Sequence, residues 1–296
     1  MPSETNSSHR PLQGQIAVVT GAGRGIGRVI AQTLAAQGAY VAALARSASE
    51  LAETVTIIEK SGGRASMHSV DVTDEPGVRA TLAEIERSMG SVDLLVNNAG
   101  TIGPLGPFWE NDFSEWTRGV IVNAIAPALC SHAVLPGMIS RRHGRIVNVS
   151  SGAGVMPFDY LSSYVVGKTG LIRFTENLAS EIKPYGLAAF TITPGTVKTS
   201  MSEYSLNSAD GKKWLPWFGK IFDEGLNVPP ERAANLIATL ASGKADSLSG
   251  SVIAVHDNLE LLLENAAKIK TEHFYSLRVR KLEPDAPHIK LIPQSK

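Results

Sequence analysis

The sequence predicts a doubly wound α/β fold, a parallel sheet with helices on both faces, and three observations carry that expectation. A short apolar run at residues 15–20 (QIAVVT) passes through glycines directly into a helical pattern. Helix-patterned and strand-patterned segments then alternate at short spacing through the first half of the chain. The strand runs end in small or polar residues, where ligands gather in open parallel sheets.

The first strand ends in TGAGRGIG, residues 20–27, and a helix follows that stops at Gly38. Glycines let backbone N–H groups approach a pyrophosphate, and the helix N-terminus favours its charge. The spacing is G-x-x-x-G-x-G (Gly21, Gly25, Gly27), with Gly23, Arg24 and Ile26 completing the loop. The second strand, residues 40–45, is followed by Arg46 rather than by the acid that would take a ribose 2′-hydroxyl. Two guanidiniums, Arg24 and Arg46, converging on one phosphate favour NADP over NAD.

A helix over 49–61 stops at Gly62-Gly63, and a strand over 65–70 ends in Asp71-Val72. A helix from 74 to 89 leads to a strand over 92–96 that ends in Asn97-Asn98-Ala99-Gly100. Asp112 is placed to N-cap one long helix over 112–140, which carries Asn123 among apolar neighbours. A strand over 145–150 delivers Ser151 to a strand end, and a strand over 187–193 runs into Pro194-Gly195-Thr196-Val197-Lys198-Thr199. Residues 201–228 contain Trp214, Trp217 and Phe218, and read equally as a lid over an apolar substrate or as a helix covering the core. A helix over 230–241 and a strand over 251–256 complete the alternation. From residue 257 the pattern is one amphipathic helix and then a polar, proline-containing end.

Composition bounds the function. The chain has 296 residues, 43% hydrophobic and 19% charged, enough for one α/β unit with a large core. Lys+Arg and Asp+Glu both total 28, so no basic field is present to recruit nucleic acid or an anionic membrane. The single cysteine, Cys130, excludes an intrachain disulfide and fits a reducing cytoplasm. No CxxC or paired-histidine spacing points to a metal. Residues 1–13 read as a disordered polar lead without a secretory h-region, and no uninterrupted run of about 18 apolar residues predicts a membrane span. The expectation is a soluble cytoplasmic protein with one domain over 14–256 and an extension over 257–296, packed on that domain or at a subunit interface.

The chemistry centres on SGAGVMPFDYLSSYVVGK, residues 151–168. Tyr164 follows Ser151 by thirteen residues and Lys168 follows Tyr164 by four, so on a helix the phenol and the ammonium share one face. A cation about 4 Å from the phenol, worth ~4 kcal/mol at an effective dielectric near 20, is expected to lower its pKa towards neutrality. That would make Tyr164 a general acid/base.

These residues resemble the short-chain dehydrogenase/reductase family over roughly residues 14–256. The resemblance rests on Thr20-Gly21-x-x-x-Gly25-x-Gly27, Asn97-Asn98-Ala99-Gly100, Asn123, Ser151, Tyr164-x-x-x-Lys168 and Pro194-Gly195. It implies a Rossmann-type fold with about seven parallel strands, binding NAD(P). Tyr164 would then exchange a proton with a carbonyl or alcohol, and Ser151, rather than the adjacent Ser150, would hold the substrate oxygen. Lys168 would bond the nicotinamide ribose and lower the tyrosine pKa, and Asn123 would hold a water linking Lys168 to solvent. By the same resemblance Asp71 and Val72 would flank the adenine, and Asn97, Ala99 and Gly100 the ribose. Pro194, Gly195, Val197 and Thr199 would contact the carboxamide and phosphates. The reading is an NADP(H)-dependent oxidoreductase acting on an apolar carbonyl or secondary alcohol. A dehydratase or epimerase on the same scaffold, or a nucleotide-binding regulatory protein, are the alternatives. The continuation past His256-Asp257-Asn258 departs from the family pattern and favours a homodimer over the family's homotetramer.

Overall fold

The computed structural model describes residues 10–279. In chain order the elements are β1 (Ile16–Thr20), α1 (Gly25–Ala36), β2 (Tyr40–Ala45), α2 (Ala48–Lys60), β3 (Arg64–Ser69), α3 (Glu75–Met89) and β4 (Leu94–Asn97). There follow α4 (Phe113–Val120), α5 (Ala126–Arg141), β5 (Arg145–Val149), α6 (Ser162–Ile182), β6 (Ala188–Thr193), α7 (Ser200–Asn207), α8 (Ala209–Trp214) and α9 (Phe218–Asp223). The last are α10 (Pro230–Ala241), β7 (Val252–Ala254), α11 (Leu259–Glu264) and α12 (Ala266–Thr271).

The seven strands form one sheet in the order β3-β2-β1-β4-β5-β6-β7, and every pairing is parallel. This is the Rossmann-type doubly wound sheet. Its strands are buried on both faces because successive side chains serve two cores. In β1, Ala17 and Val19 join α1, α2 and α10 on one side, while Ile16 and Val18 join α3, α5 and α6 on the other. The strand order reverses between β1 and β4, which pair through Val19 and Val96, and the carboxyl ends of the strands flank a crevice there.

Three expectations are corrected. The polar lead does not run to residue 13: Leu12 is 1% exposed, and its N–H donates to Gln37 O at 3.0 Å. One leucine inserted beneath α1 is enough to order a turn in an otherwise polar stretch. The long helix is not regular, because a π-turn at Ile121–Ile125 separates α4 from α5. The tail holds two short helices, α11 and α12, broken at Asn265. Its Leu262, Ala266 and Ile269 enter the core beside α10. The helical stretch Phe113–Arg141 is long and apolar enough to cross a membrane by length and composition alone. In the fold it is a covering layer, with Gly119, Asn123, Cys130, Val134 and Met138 buried against the domain.

Truncating Leu12 to alanine is expected to cost about 2–5 kcal/mol of stability in urea unfolding, the range for a buried leucine. A change below about 0.5 kcal/mol would mean that the lead is not part of the core.

Candidate active site

The glycine loop is clamped from β4. Thr20 Oγ1 accepts from the N–H groups of Asn98 (3.0 Å) and Ala99 (3.1 Å). Asn98 Nδ2 returns to Thr20 O at 3.0 Å and Gly21 O at 3.3 Å. A Cβ on Gly27 would fall 2.1 Å from Gly21 O and 2.4 Å from Asn98 Nδ2, so only glycine fits where α1 presses on the loop. Gly25, with φ 54, opens α1 and faces Thr199, whose Cγ2 would lie 3.3 Å from a Cβ there. Thr199 in turn caps α7, accepting from Ser202 N while its own N–H donates to Ser202 Oγ at 2.8 Å. Two helix N-termini thus meet across a loop with no side chain at Gly25 or Gly27, a cradle that fits a pyrophosphate.

At the outer end of the crevice, Arg24 is 61% exposed and pairs with Glu50 at 3.2 Å, while Arg46 is 69% exposed and lies 4.0 Å from Asp71. The two arginines are therefore held by different carboxylates. Arg118 of α4 also reaches Asp71, at 3.5 Å. Burial pushes the Asp71 carboxyl up, but the Thr73 N–H and hydroxyl, then Arg46 and Arg118, outweigh it and hold the group below its ordinary value. Sequence reasoning missed Glu50 and Arg118. Neither lies in a motif, and only the packing of α2 and α4 brings them here.

Tyr164 and Lys168 sit one turn apart in α6, facing the end of β5. Lys168 is 4% exposed, and its Nζ donates to Val149 O at 2.9 Å. Burial pushes the ammonium down to about 8. Burial likewise pushes the Tyr164 phenol above its ordinary value, opposed by the Ser151 hydroxyl. This corrects the expectation that Lys168 brings Tyr164 towards neutrality. Nζ is tethered to Val149 and stands 5.7 Å from the tyrosine ring centroid, and desolvation is the largest influence on the phenol, with the Ser151 hydroxyl opposing it. Ser151 Oγ accepts from Ala153 N at 3.2 Å and remains half-buried at the mouth. Ser150 is buried, and its Oγ donates to Lys168 O at 3.1 Å. Ser151 therefore faces the phenol, and Ser150 ties α6 to β5.

Asn123 lies in the π-turn, buried, with Nδ2 donating to Thr101 O (2.7 Å) and Gly119 O (2.9 Å). Its Oδ1 accepts from Thr101 N at 3.2 Å. A Cβ on Gly100 would meet Asn123 Oδ1 at 3.0 Å and Lys168 Nζ at 3.4 Å, so these three residues converge. π-turns gather at functional sites, and this one aims Asn123 inward between α6 and the β4 loop. Asn97 behaves otherwise. Its side chain is buried in the sheet and donates to Asn148 Oδ1 at 2.8 Å, with Ser131 and Pro127 nearby. Its side chain does not turn to the mouth, so only its backbone is placed to line the ribose. Asn98, the first residue past the strand, is the one that reaches the loop.

The substrate side is apolar. Leu105, Leu161 and Leu215 are buried together, with Ile102, Phe158, Tyr164, Trp214 and Phe218 packed around them. Tyr160 lies against Trp214 (4.8 Å between centroids) and Phe158 against Trp217 (5.7 Å). The insert therefore covers Tyr164, not the core beneath the sheet. Gly195 (φ 70) leads into it, where a Cβ would strike Val228 Cγ2 at 2.6 Å, and Val197 is buried. Among the described residues no group of three His, Cys, Asp or Glu is placed to hold a metal. Burial pushes the Cys130 thiol up to about 12, which leaves it inert.

A doubly wound sheet with a glycine cradle at its switch point and a Ser-Tyr-Lys set beside it defines a dinucleotide-dependent oxidoreductase scaffold. Residues 15–209 match the short chain dehydrogenase family model, and the chain belongs to that family. It is 32% identical over 266 residues to a short chain dehydrogenase of Pseudocercospora fijiensis, covering 87% of this chain and 85% of that one. It is 34% identical over 258 residues to the 3-oxoacyl-acyl-carrier-protein reductase FabG of Vibrio harveyi, covering 85% and 99%. A metagenomic short-chain oxidoreductase solved in complex with NADP superposes with a TM-score of 0.66 at 31% identity, covering 78% of this chain and 92% of that one.

Gly27→Ala is expected to raise the NADPH dissociation constant at least a hundredfold by fluorescence titration, since the methyl would collide with backbone at 2.1 Å. Near wild-type affinity would contradict the cradle.

Proposed function

We propose that the chain is an NADP(H)-dependent oxidoreductase acting on apolar carbonyl compounds or secondary alcohols. The observation that supports it best is the convergence of Ser151, Tyr164 and Lys168 beside the glycine cradle and under an aromatic cover. A bound nicotinamide dinucleotide supplies or accepts the hydride. The backbone at Gly21, Gly25 and Gly27, with Thr199, holds the pyrophosphate. Arg24 and Arg46 take the 2′-phosphate, Asp71 and Val72 flank the adenine, and Ala99 and Gly100 line the ribose. Pro194, Gly195 and Val197 face the carboxamide.

In reduction, Ser151 Oγ holds the carbonyl oxygen and Tyr164 Oη gives it a proton. In oxidation the same phenol takes the alcohol proton. Its raised pKa keeps Tyr164 protonated at neutral pH, the form that reduction needs. Lys168 would bond the nicotinamide ribose, and a water held near Asn123 would link its ammonium to solvent, the source of the proton that restores the phenol. A binding-only protein has no use for such a set. The protein acts in the cytoplasm as a homodimer, with residues 14–256 as the catalytic unit.

Carbonyl-dependent NADPH oxidation, followed at 340 nm over a panel of ketones, aldehydes and quinones, tests the reading. Tyr164→Phe is expected to lower kcat by about 10²–10⁴-fold while leaving the NADPH dissociation constant within about threefold. Residual turnover within tenfold of wild type would refute the assigned role. Replacing Arg24 and Arg46 together with alanine is expected to weaken NADPH binding more than tenfold and leave NADH binding unchanged, and equal losses for both would refute the 2′-phosphate site. Lys168 in the free protein is a cation below its pKa of about 8 and neutral above it, so kcat/KM for reduction is expected to fall as the pH rises through 8. A profile flat to pH 10 would refute that dependence.

A further inference from the structure

Two successive carbonyls of the glycine loop are drawn to the same side. Thr54 Oγ1, on α2, lies 3.0 Å from Ala22 O and 3.3 Å from Gly23 O. Arg28, in the first turn of α1, donates from Nε to Gly23 O at 3.0 Å, and its Nη2 donates to the same oxygen. In a strand neighbouring carbonyls point to opposite sides, so this arrangement belongs to a turn. A trans peptide unit is planar, with its C=O and the following N–H opposed. Drawing Ala22 O and Gly23 O against α2 therefore turns the N–H groups of Gly23 and Arg24 away from α2, both to one side. Successive N–H groups turned to one side make a concavity that suits an anion. The N–H groups of Gly25 and Ile26 come next, at the start of α1, where helix geometry leaves them without an intrahelical acceptor.

The two side chains divide the work. Thr54 is fully buried, and its hydroxyl has one proton to give. Arg28 already serves Gly23 O and donates from Nε to Thr54 Oγ1 at 3.1 Å, so the hydroxyl proton is left for Ala22 O, the nearest carbonyl. The Arg28 guanidinium is itself paired with Glu53 at 2.9 Å. Its charge is thus spent within the protein, and what it supplies to the loop is direction. The loop rests directly on α2, since a Cβ at Gly23 would stand 3.0 Å from Glu50 Cβ.

We propose that Arg28 and Thr54 are the positioning residues of the cradle: they draw the Ala22 and Gly23 carbonyls onto α2 and so aim the Gly23 and Arg24 N–H groups at the pyrophosphate. The inference rests on the dinucleotide reading and deepens it, because it assigns the shape of the loop to two side chains behind it.

Fluorescence titration with NADPH and NADH tests it, since the two share the pyrophosphate and differ at the 2′-phosphate. Thr54→Val keeps the shape of the side chain without the hydroxyl, and is expected to raise both dissociation constants by the same factor, about tenfold. Thr54→Ser keeps the hydroxyl and leaves a methyl-sized void, and is expected to bind both nucleotides within threefold of wild type. A residue that served packing alone would give the reverse order, with valine tolerated and serine not. Arg28→Ala, at a partly exposed position, is expected to match the loss in Thr54→Val and stands in for it if that variant folds poorly. The proposal is overturned if Thr54→Val and Arg28→Ala bind both nucleotides within twofold of wild type, if NADPH binding alone is lost, or if Thr54→Ser binds as weakly as Thr54→Val. Wild type that binds neither nucleotide would refute the dinucleotide reading, and the inference with it, before any variant is compared.

Discussion

Lys168, with its ammonium held on the Val149 carbonyl and almost no contact with water, is the constraint around which the site is assembled. Burying a cation is costly unless its donors are used, so α6 must lie close against the end of β5. Ser150 bonds the Lys168 carbonyl from that strand end. At Gly154 a Cβ would meet the same carbonyl at 2.9 Å, so the turn after β5 must be bare for the helix to approach. On the other side Gly167 admits Asn123, whose Cβ would lie 2.6 Å from a side chain there. The close approach that buries Lys168 also half-buries Tyr164 and raises its pKa. One packing decision therefore sets the protonation of both groups in opposite directions: a phenol that keeps its proton, and an ammonium that gives one up more readily.

The sheet supplies the second half of the site through the reversal between β1 and β4. Because those strands pair, Asn98 at the end of β4 can brace the loop at the end of β1 with four hydrogen bonds through its own groups, Ala99 and Thr20. The loop thus needs no side chains of its own at its closest approach. α7 brings Thr199 against Gly25 from the far end of the sheet, and the same insert carries the aromatic cover over Tyr164. Nucleotide cradle and substrate cover are in this way joined by one segment.

How much of this could be read in the sequence depended on the range of the interaction. The strand–glycine–helix at 16–36 was legible because hydrophobic period, φ requirement and helix start all agree within twenty residues. So was the shared face of Tyr164 and Lys168, which is set by helix geometry alone. The π-turn at Asn123 was not, since VIVNAIAP carries an ordinary helical pattern and the distortion comes from Thr101 and Gly119 claiming the carboxamide. Asn97 and Asn98 are chemically alike, and only the end of β4 between them sends one into the sheet and the other to the loop. The partnerships of Glu50 and Arg118 join residues far apart in the chain and leave no local trace. The expected Coulombic effect on Tyr164 failed for a related reason: proximity on a helix can be read from spacing, whereas burial is a property of the whole fold.

The claim that desolvation, not the neighbouring cation, sets the charge state of the site is tested most directly by NMR titration of labelled side chains. Tyrosine Cζ and lysine Nζ would be followed in the wild-type protein from about pH 6 to pH 11. The structure predicts that Lys168 loses its proton near pH 8 while Tyr164 stays protonated beyond pH 10. A Tyr164 that titrates first, below pH 8, with Lys168 charged above pH 10, would show that the ammonium controls the phenol and would contradict the account.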